Sequence, residues 1–265
     1  MQWVAAVGAA TGRSVEYVGG LAEICGRSLR LLILSPLKRG RTFQRAIHEA
    51  MAVGVGAIPI VTLITFFVGI IIALQGAYEL QRLGATQLVA SLVAIAITRE
   101  LGPLITAIVV IGRSGSAFAA QIGTMRVTEE LDALETMALD PVAFLVVPKF
   151  VAMAIMLPCL AIWADLMGIL GGAFFGVAGA GFTFGGYMQT TRDALLMNDI
   201  TSGVIKSLVF GMVITAVGCQ EGFSTGAGAE EVGRSTTSAV VTSILMVILI
   251  DLVFTALFYL ARGGA

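Results

Sequence analysis

The stretch Ala50–Tyr78, AMAVGVGAIPIVTLITFFVGIIIALQGAY, contains no charged residue. A helix needs roughly 20 consecutive apolar residues to cross the hydrocarbon core of a bilayer, so this stretch can span a membrane with some tilt. Over the whole chain 57% of the residues are hydrophobic and 12% are charged, against roughly 25% charged residues in soluble domains. These features predict an all-α integral membrane protein.

Four further apolar stretches follow, and we expect spans at about 50–78, 87–114, 144–177, 200–219 and 238–260. The first 45 residues are different, because their apolar residues recur at helical spacing between charged ones. This pattern predicts an interfacial helix, followed by a basic segment that holds Lys38, Arg39, Arg41 and Arg45. We therefore divide the chain into an N-terminal interfacial segment, 1–45, and a five-span membrane domain, 46–262.

The distribution of positive charge predicts the orientation of the chain. If the N-terminus is cytoplasmic, most Lys and Arg residues fall in cytoplasmic segments, and the outer segments hold only Arg82, Arg192 and Arg262. Positive residues are enriched in cytoplasmic loops of membrane proteins. We therefore expect a cytoplasmic N-terminus, a C-terminus on the opposite face and a cytoplasmic 121–140 connection.

Five charged residues interrupt the apolar stretches: Arg99, Glu100, Asp165, Lys206 and Asp251. A charge at the bilayer centre costs roughly 2.5–3.5 kcal/mol even on the lenient insertion scale, so it normally faces protein or water. Arg99 and Glu100 are adjacent and should diverge by about 100°, and at least one should meet a partner on another helix, such as Lys206 or Asp251. The five charges could be ion pairs that only fix helix register, or a polar patch in an apolar cavity for an amphiphilic ligand.

The 121–140 connection contains an amphipathic segment. Thr128 can cap a short helix, Glu129 and Glu130 suit its first turn, and Asp140-Pro141 should end it. The residues Val127, Leu131, Leu134 and Ala138 line one face. The segment could be a solvated interfacial helix, or a helix that docks into a groove on a cytoplasmic partner.

Several kinds of site are not supported by the sequence. No G-x-x-x-x-G-K-[ST] motif is present, so ATP and magnesium would have to bind a separate ATPase chain. Gly112-Arg113-Ser114-Gly115 superficially matches an intramembrane serine protease, but the single histidine, His48, precedes the first span. We expect no catalytic residues, no metal site, no cofactor in this chain and no nucleic-acid partner. Gly168, Gly172, Gly176 and Ala180 form a GxxxG ridge, which could serve packing within the chain or dimerisation.

The central motifs of the sequence resemble those of the MlaE/YrbE permeases, the membrane subunits of MCE-associated lipid ABC transporters. The resemblance covers about Phe43 to Leu257, and its most specific part is the block Arg99-Glu100-Leu101-Gly102-Pro103, Gly112–Ala117, Ile122–Arg126, Glu129–Leu134 and Asp140-Pro141. Shorter matches lie at Leu74-Gln75-Gly76, Ile205-Lys206-Ser207 and Asp251–Leu257.

This resemblance implies a homodimer in the inner membrane of a Gram-negative bacterium, with a lipid cavity between the subunits. Implied partners are a cytoplasmic ABC ATPase dimer, a small STAS-domain protein bound to it, and a hexameric periplasmic MCE protein. The charged family positions match Arg99, Glu100, Lys206 and Asp251, whereas Asp165 falls outside the family pattern. The coupling helix that contacts the ATPase would carry Arg126, Glu129, Glu130, Leu131, Asp132, Leu134 and Glu135.

The function expected from this resemblance is ATP-driven phospholipid transport that maintains outer-membrane lipid asymmetry. Three alternatives stay open at this point. The chain could be an ion-coupled carrier that uses its buried carboxylates, a non-transporting scaffold for an ATPase, or an ABC permease for a sterol or another lipid. The absence of an internal inverted repeat weakens the ion-coupled carrier.

Overall fold

The computed structural model describes residue 17, residues 19–31 and residues 39–263, and this part of the chain is helical without strands. The remaining residues of the predicted N-terminal segment lie outside the described ones. We number the helices α1 (19–31), α2 (Arg39–Arg82), α3 (Thr86–Val127), α4 (Glu130–Thr136), α5 (Val142–Gly179), α6 (Phe184–Ala194), α7 (Met197–Phe223) and α8 (Ala229–Gly263).

Five of these helices, α2, α3, α5, α7 and α8, are long and apolar enough to cross a membrane. The predicted all-α membrane protein with five spans is therefore confirmed. The helices extend beyond the apolar stretches, most clearly in α3, which continues past Ser114 to Val127. The backbone hydrogen bonds of a helix do not depend on side-chain polarity, so hydropathy locates the membrane crossing but not the helix ends.

All five spanning helices contribute to one apolar core. Its buried members include Val61 of α2, Val110 of α3, Leu157 of α5, Phe210 of α7 and Val247 of α8. The helix α5 has the largest buried share of the five and α8 the smallest. The helix α5 is therefore the centre of the bundle, and α8 lies at its edge.

The small residues of α5 bring its backbone against α2. A Cβ atom at Gly171 would overlap the carbonyl oxygen of Phe66, and one at Gly69 would overlap that of Gly168. Further along α5, Gly172 and Gly176 lie against Tyr187, a completely buried residue of α6. The GxxxG ridge thus serves packing within the chain, which decides between the two uses that the sequence left open.

Two π-helical turns interrupt α3, at Ile97–Leu101 and Ile111–Gly115. The first contains Arg99 and Glu100 and ends directly before Gly102-Pro103. Because Pro103 has no backbone N–H, it cannot donate to the preceding turn, and the wider turn accommodates this loss. The sequence analysis did not anticipate either π turn.

The short helix α4 has different ends from those expected. Thr128 does not cap α4: it ends α3, and its hydroxyl donates to the carbonyl of Thr124 at 3.0 Å. Glu129, in the left-handed conformation at φ 59°, takes the N-cap position. Ala138, expected on the apolar face of the helix, instead lies beyond its end at φ 58°.

A Schellman motif closes α4, because the N–H groups of Ala138 and Leu139 donate to Glu135 and Leu134. These backbone bonds stop the helix before Asp140-Pro141. The predicted end was therefore a few residues too late.

Candidate functional site

A buried ionic cluster joins α3, α7 and α8. Lys206 of α7 lies at its centre, with its Nζ 2.5 Å from Glu100 Oε2 and 2.9 Å from Asp251 Oδ1. The same ammonium donates to the hydroxyl of Thr255 at 2.9 Å, and that hydroxyl donates to Glu100 at 3.1 Å. The side chain of Lys206 is only 1% exposed, so its ammonium is shielded from solvent by the protein groups around it.

Arg99 lies beside this cluster and contacts a different part of α7. Its Nε is 3.7 Å from Asp199 Oδ1. Asp199 also accepts a hydrogen bond from the backbone N–H of Leu196 at 3.2 Å, and so caps the first turn of α7. Its carboxylate is thus held in place from two sides.

Three of the charged residues, Arg99, Glu100 and Lys206, border a cavity of about 310 Å³ that also has apolar walls. Arg99 and Glu100 both line it, together with Ser202, Ile205 and Phe258. The expectation that two adjacent side chains would diverge is met only in part: they reach different partners on α7 but border one space. Because Arg99 is 33% exposed and Lys206 is 1% exposed, the guanidinium is the cation that a molecule in the cavity would meet.

The structure does not bring Asp165 to this cavity. Its Oδ1 lies against the α3 backbone at Gly102, where a Cβ atom would overlap it. Four of the five charges singled out in the sequence thus lie at one site, and Asp165 packs between α5 and α3 instead.

The predicted coupling residues lie at the other end of the bundle. Arg126, Glu129, Leu131 and Asp132 border a groove of about 390 Å³ between α4 and the loop Thr225–Gly228. Leu131 is 6% exposed and packs with Leu134 against the bundle itself. The acidic side chains Glu129, Glu130, Asp132 and Glu135 are exposed. A partner at this helix would therefore meet carboxylates, while the leucines anchor α4.

The sequence did not predict the contacts of two further charged residues, Asp199 and Lys149. Asp199 was placed in a connection, because the helix that begins at Met197 was expected to begin at Ile200. Lys149 is not among the charges that the sequence singles out, yet it is buried, and its Nζ lies 2.6 Å from Glu49 Oε1. The sequence did contain a signal for this burial: Lys149 is the sixth residue of the expected span 144–177, and a long apolar run follows it.

Comparison with known protein families assigns this chain to one of them. The family model described as "Permease MlaE" matches residues 46–257. This chain belongs to the MlaE permease family. The matched region contains Arg99, Glu100, Lys206 and Asp251 as well as α4, so the resemblance seen in the sequence is confirmed.

Relatives of this permease come from several lineages. A "Probable ABC transporter permease protein" of Rickettsia bellii is 37% identical over 253 residues, 96% of each chain. The "Intermembrane phospholipid transport system permease protein MlaE" of Haemophilus influenzae is 34% identical over 218 residues, covering 82% of this chain and 84% of the relative. The "Protein TRIGALACTOSYLDIACYLGLYCEROL 1, chloroplastic" of Arabidopsis thaliana is 36% identical over 234 residues, covering 88% of this chain and 67% of the relative.

These relationships establish a multi-pass membrane permease of lipid transport that works within an ABC transporter. Such a permease is a non-catalytic subunit of its transporter. ABC permease relatives also favour ATP-driven transport over the ion-coupled carrier considered from the sequence.

Proposed function

We propose that this chain is the permease subunit of an ATP-driven phospholipid transporter in the inner membrane of a Gram-negative bacterium. It moves phospholipid between that membrane and a periplasmic MCE protein, and so maintains the lipid asymmetry of the outer membrane. The observation that carries the proposal is a cavity between the spanning helices α3, α7 and α8, with apolar walls and a partly exposed guanidinium, Arg99, at its border. A phospholipid has the matching chemistry, an anionic phosphate on apolar chains.

Arg99 is the residue that contacts the lipid phosphate in this proposal. Guanidinium groups bind phosphate through two parallel charge-assisted hydrogen bonds, and about a third of the Arg99 side chain is accessible. Lys206 has a different role, because Glu100 and Thr255 accept its hydrogen bonds and Asp251 lies in ionic contact with it. It holds α3, α7 and α8 together behind the head group.

Two copies of the chain form the complete cavity in this proposal. The helix α8 is the least buried spanning helix, yet it supplies Asp251 and Thr255 to the site. It exposes a long apolar face that includes Leu245, Leu249 and Leu252. A second copy of the chain packed near this helix would enclose the cavity.

In this proposal the ATPase binds at the opposite end of the bundle from the cavity. A dimeric cytoplasmic ATPase, which carries ATP and magnesium, docks on α4 and the neighbouring groove, and a small STAS-domain protein binds that ATPase. A hexameric MCE protein covers the other face of the bundle. Nucleotide binding would then move α4, and the start of α5 with it, and change the shape of the cavity.

Charge reversal at Arg99 tests the proposal in the purified transporter. In Arg99→Glu, we expect phospholipid retention and ATP-dependent transfer to acceptor vesicles to fall about tenfold, because the charge-assisted hydrogen bonds to phosphate are lost. Retention is measured by mass spectrometry of the bound lipids. The matched control is Arg192→Glu on the exposed side of α6, which should retain bound phospholipid at the normal level.

The result counts only if the Arg99→Glu variant still assembles with the ATPase, which co-purification measures. Unaltered lipid retention and transfer in an assembled Arg99→Glu transporter would refute the assignment. If the bound lipid is a sterol instead, the same mass spectrum identifies it.

A further inference from the structure

A second cavity, of about 590 Å³, lies at the opposite end of the bundle from Arg99. It is bordered by the beginning of α2, the last turns of α3 and the beginning of α5. Glu100 and Gln121 both belong to α3, and at 1.5 Å per residue they lie about 30 Å apart along its axis. The second cavity is therefore separate from the site described above.

A buried lysine sets the charge of this cavity. Lys149 is 1% exposed, and its Nζ lies 2.6 Å from Glu49 Oε1 and 2.7 Å from Gln121 Oε1. The ammonium also stands 4.7 Å from the centre of the Phe118 ring. Among the described residues, Glu49 is the carboxylate that borders the cavity, and Lys149 neutralises it from inside the protein.

The remaining charge at the cavity is positive and exposed. The guanidinium of Arg45 lies 3.6 Å over the ring of Phe144, and His48 stands one helical turn further along α2. In the part of the chain that the structure describes, no carboxylate pairs with Arg45. Stacking on a ring holds a guanidinium by one face and leaves the N–H donors at its edge available.

An apolar stripe runs along α2 beside these polar residues. Phe43, Ile47, Met51 and Val55 recur at intervals of four residues and are all exposed, so they lie on one side of the helix. A molecule with an anionic head and long apolar tails fits both features, because its head can occupy the cavity while its tails follow the stripe.

We propose that this second cavity binds the phosphate head group of an anionic phospholipid from the leaflet at that end of the bundle. A zwitterionic lipid fits less well, because its amine would meet Arg45 and a carboxylate that Lys149 already neutralises. The inference rests on the proposed function only in assigning this leaflet to the cytoplasmic side.

Native mass spectrometry of the full-length chain in detergent tests the proposal, with dioleoylphosphatidylglycerol and dioleoylphosphatidylcholine as probes. All measurements use an Arg99→Gln background, which weakens the first site and separates the two. In this background, Arg45→Gln should weaken phosphatidylglycerol binding about tenfold, as expected for the loss of a charge-assisted contact. Binding of phosphatidylcholine should be weak and should not change.

The matched control is Arg82→Gln at the other end of α2, because Arg82 also lies over a ring, that of Tyr78, at 4.5 Å. It should leave phosphatidylglycerol binding intact, and Arg45→Lys should retain part of it, because the charge remains. Equal binding by Arg45→Gln and its parent, or an equal loss in Arg82→Gln, would overturn the proposal. Displacement of the lipid by inorganic phosphate at a comparable concentration would also overturn the proposal, since the site would then recognise a free anion.

Discussion

At the scale of single residues, Lys206 determines the stability of the site. One ammonium lies between two carboxylates, Glu100 and Asp251, on two other helices. A buried ion pair gains little over an apolar contact of the same shape, but removal of one partner leaves an uncompensated charge. Lys206 therefore has a structural role whatever the cavity binds.

We expect Lys206→Met to lower the free energy of unfolding by about 3–5 kcal/mol, because Glu100 and Asp251 then face each other without a cation. The triple variant Glu100→Gln, Lys206→Met, Asp251→Asn should recover most of this loss. Denaturation of the purified protein in detergent measures both. The control is Arg234→Gln, which removes an exposed pair with Glu231 at 3.7 Å and should change little.

A Lys206→Met variant as stable as the parent would show that the cluster is not buried as the structure has it. If the triple variant is stable and still retains lipid, the cluster serves only to fix the register in which the helices pack. Loss of lipid from the stable triple variant would instead assign it a part in binding.

At the scale of helices, the contact between α2 and α5 depends on positions without side chains. Gly171 faces the carbonyl of Phe66, and Gly69 faces that of Gly168. In lipid there is no hydrophobic driving force between helices, so close backbone packing is a main source of helix association. A methyl group at this contact would separate the two backbones.

Gly171→Ala should therefore destabilise the protein by about 1–3 kcal/mol, the range for an overpacked core, and lower its melting temperature in detergent. Gly112→Ala is the matched control, because a Cβ atom at Gly112 has no neighbour within 4 Å. A helix interior favours alanine over glycine, so the control should be neutral or slightly stabilised. Equal melting temperatures for both variants would contradict the close packing of α2 and α5.

At the scale of the whole molecule, charged sites lie at both ends of an apolar bundle. Arg99 and the Lys206 cluster lie toward the end where α7 begins, and Lys149, Arg45 and α4 lie at the other end. Arg27 of α1 contacts Asp140 at 3.2 Å and so ties the N-terminal helix to the α4 end. The charge bias predicts that this second end is cytoplasmic.

Cysteine labelling tests this orientation. Single cysteines are introduced as Leu83→Cys and Met137→Cys, positions that are 77% and 67% exposed at opposite ends of the bundle. The background replaces the native cysteines, Cys25, Cys159 and Cys219, with alanine. In spheroplasts, a membrane-impermeant maleimide should label position 83 at once and position 137 only after permeabilisation. The reverse pattern would invert the predicted topology and place α4 outside.

The sequence by itself determined the membrane class, the five crossings and the identity of most charged residues of the site. These features follow from local quantities: the length of an apolar stretch, the cost of a charge in hydrocarbon, and motif spacing. The same reasoning expected Thr128 at the start of α4 and the helix end at Asp140-Pro141. It was wrong at both, because backbone hydrogen bonds close a helix before its side-chain signals end.

Only the tertiary structure decided which charges meet. Lys206 pairs with Glu100 and Asp251, Arg99 with Asp199, and Lys149 with Glu49, whereas Asp165 lies apart against Gly102. These partners are far apart in sequence, and their meeting depends on how the helices rotate and slide against one another. Glycine contacts and π turns set that rotation and offset, and neither follows from the composition of a single helix.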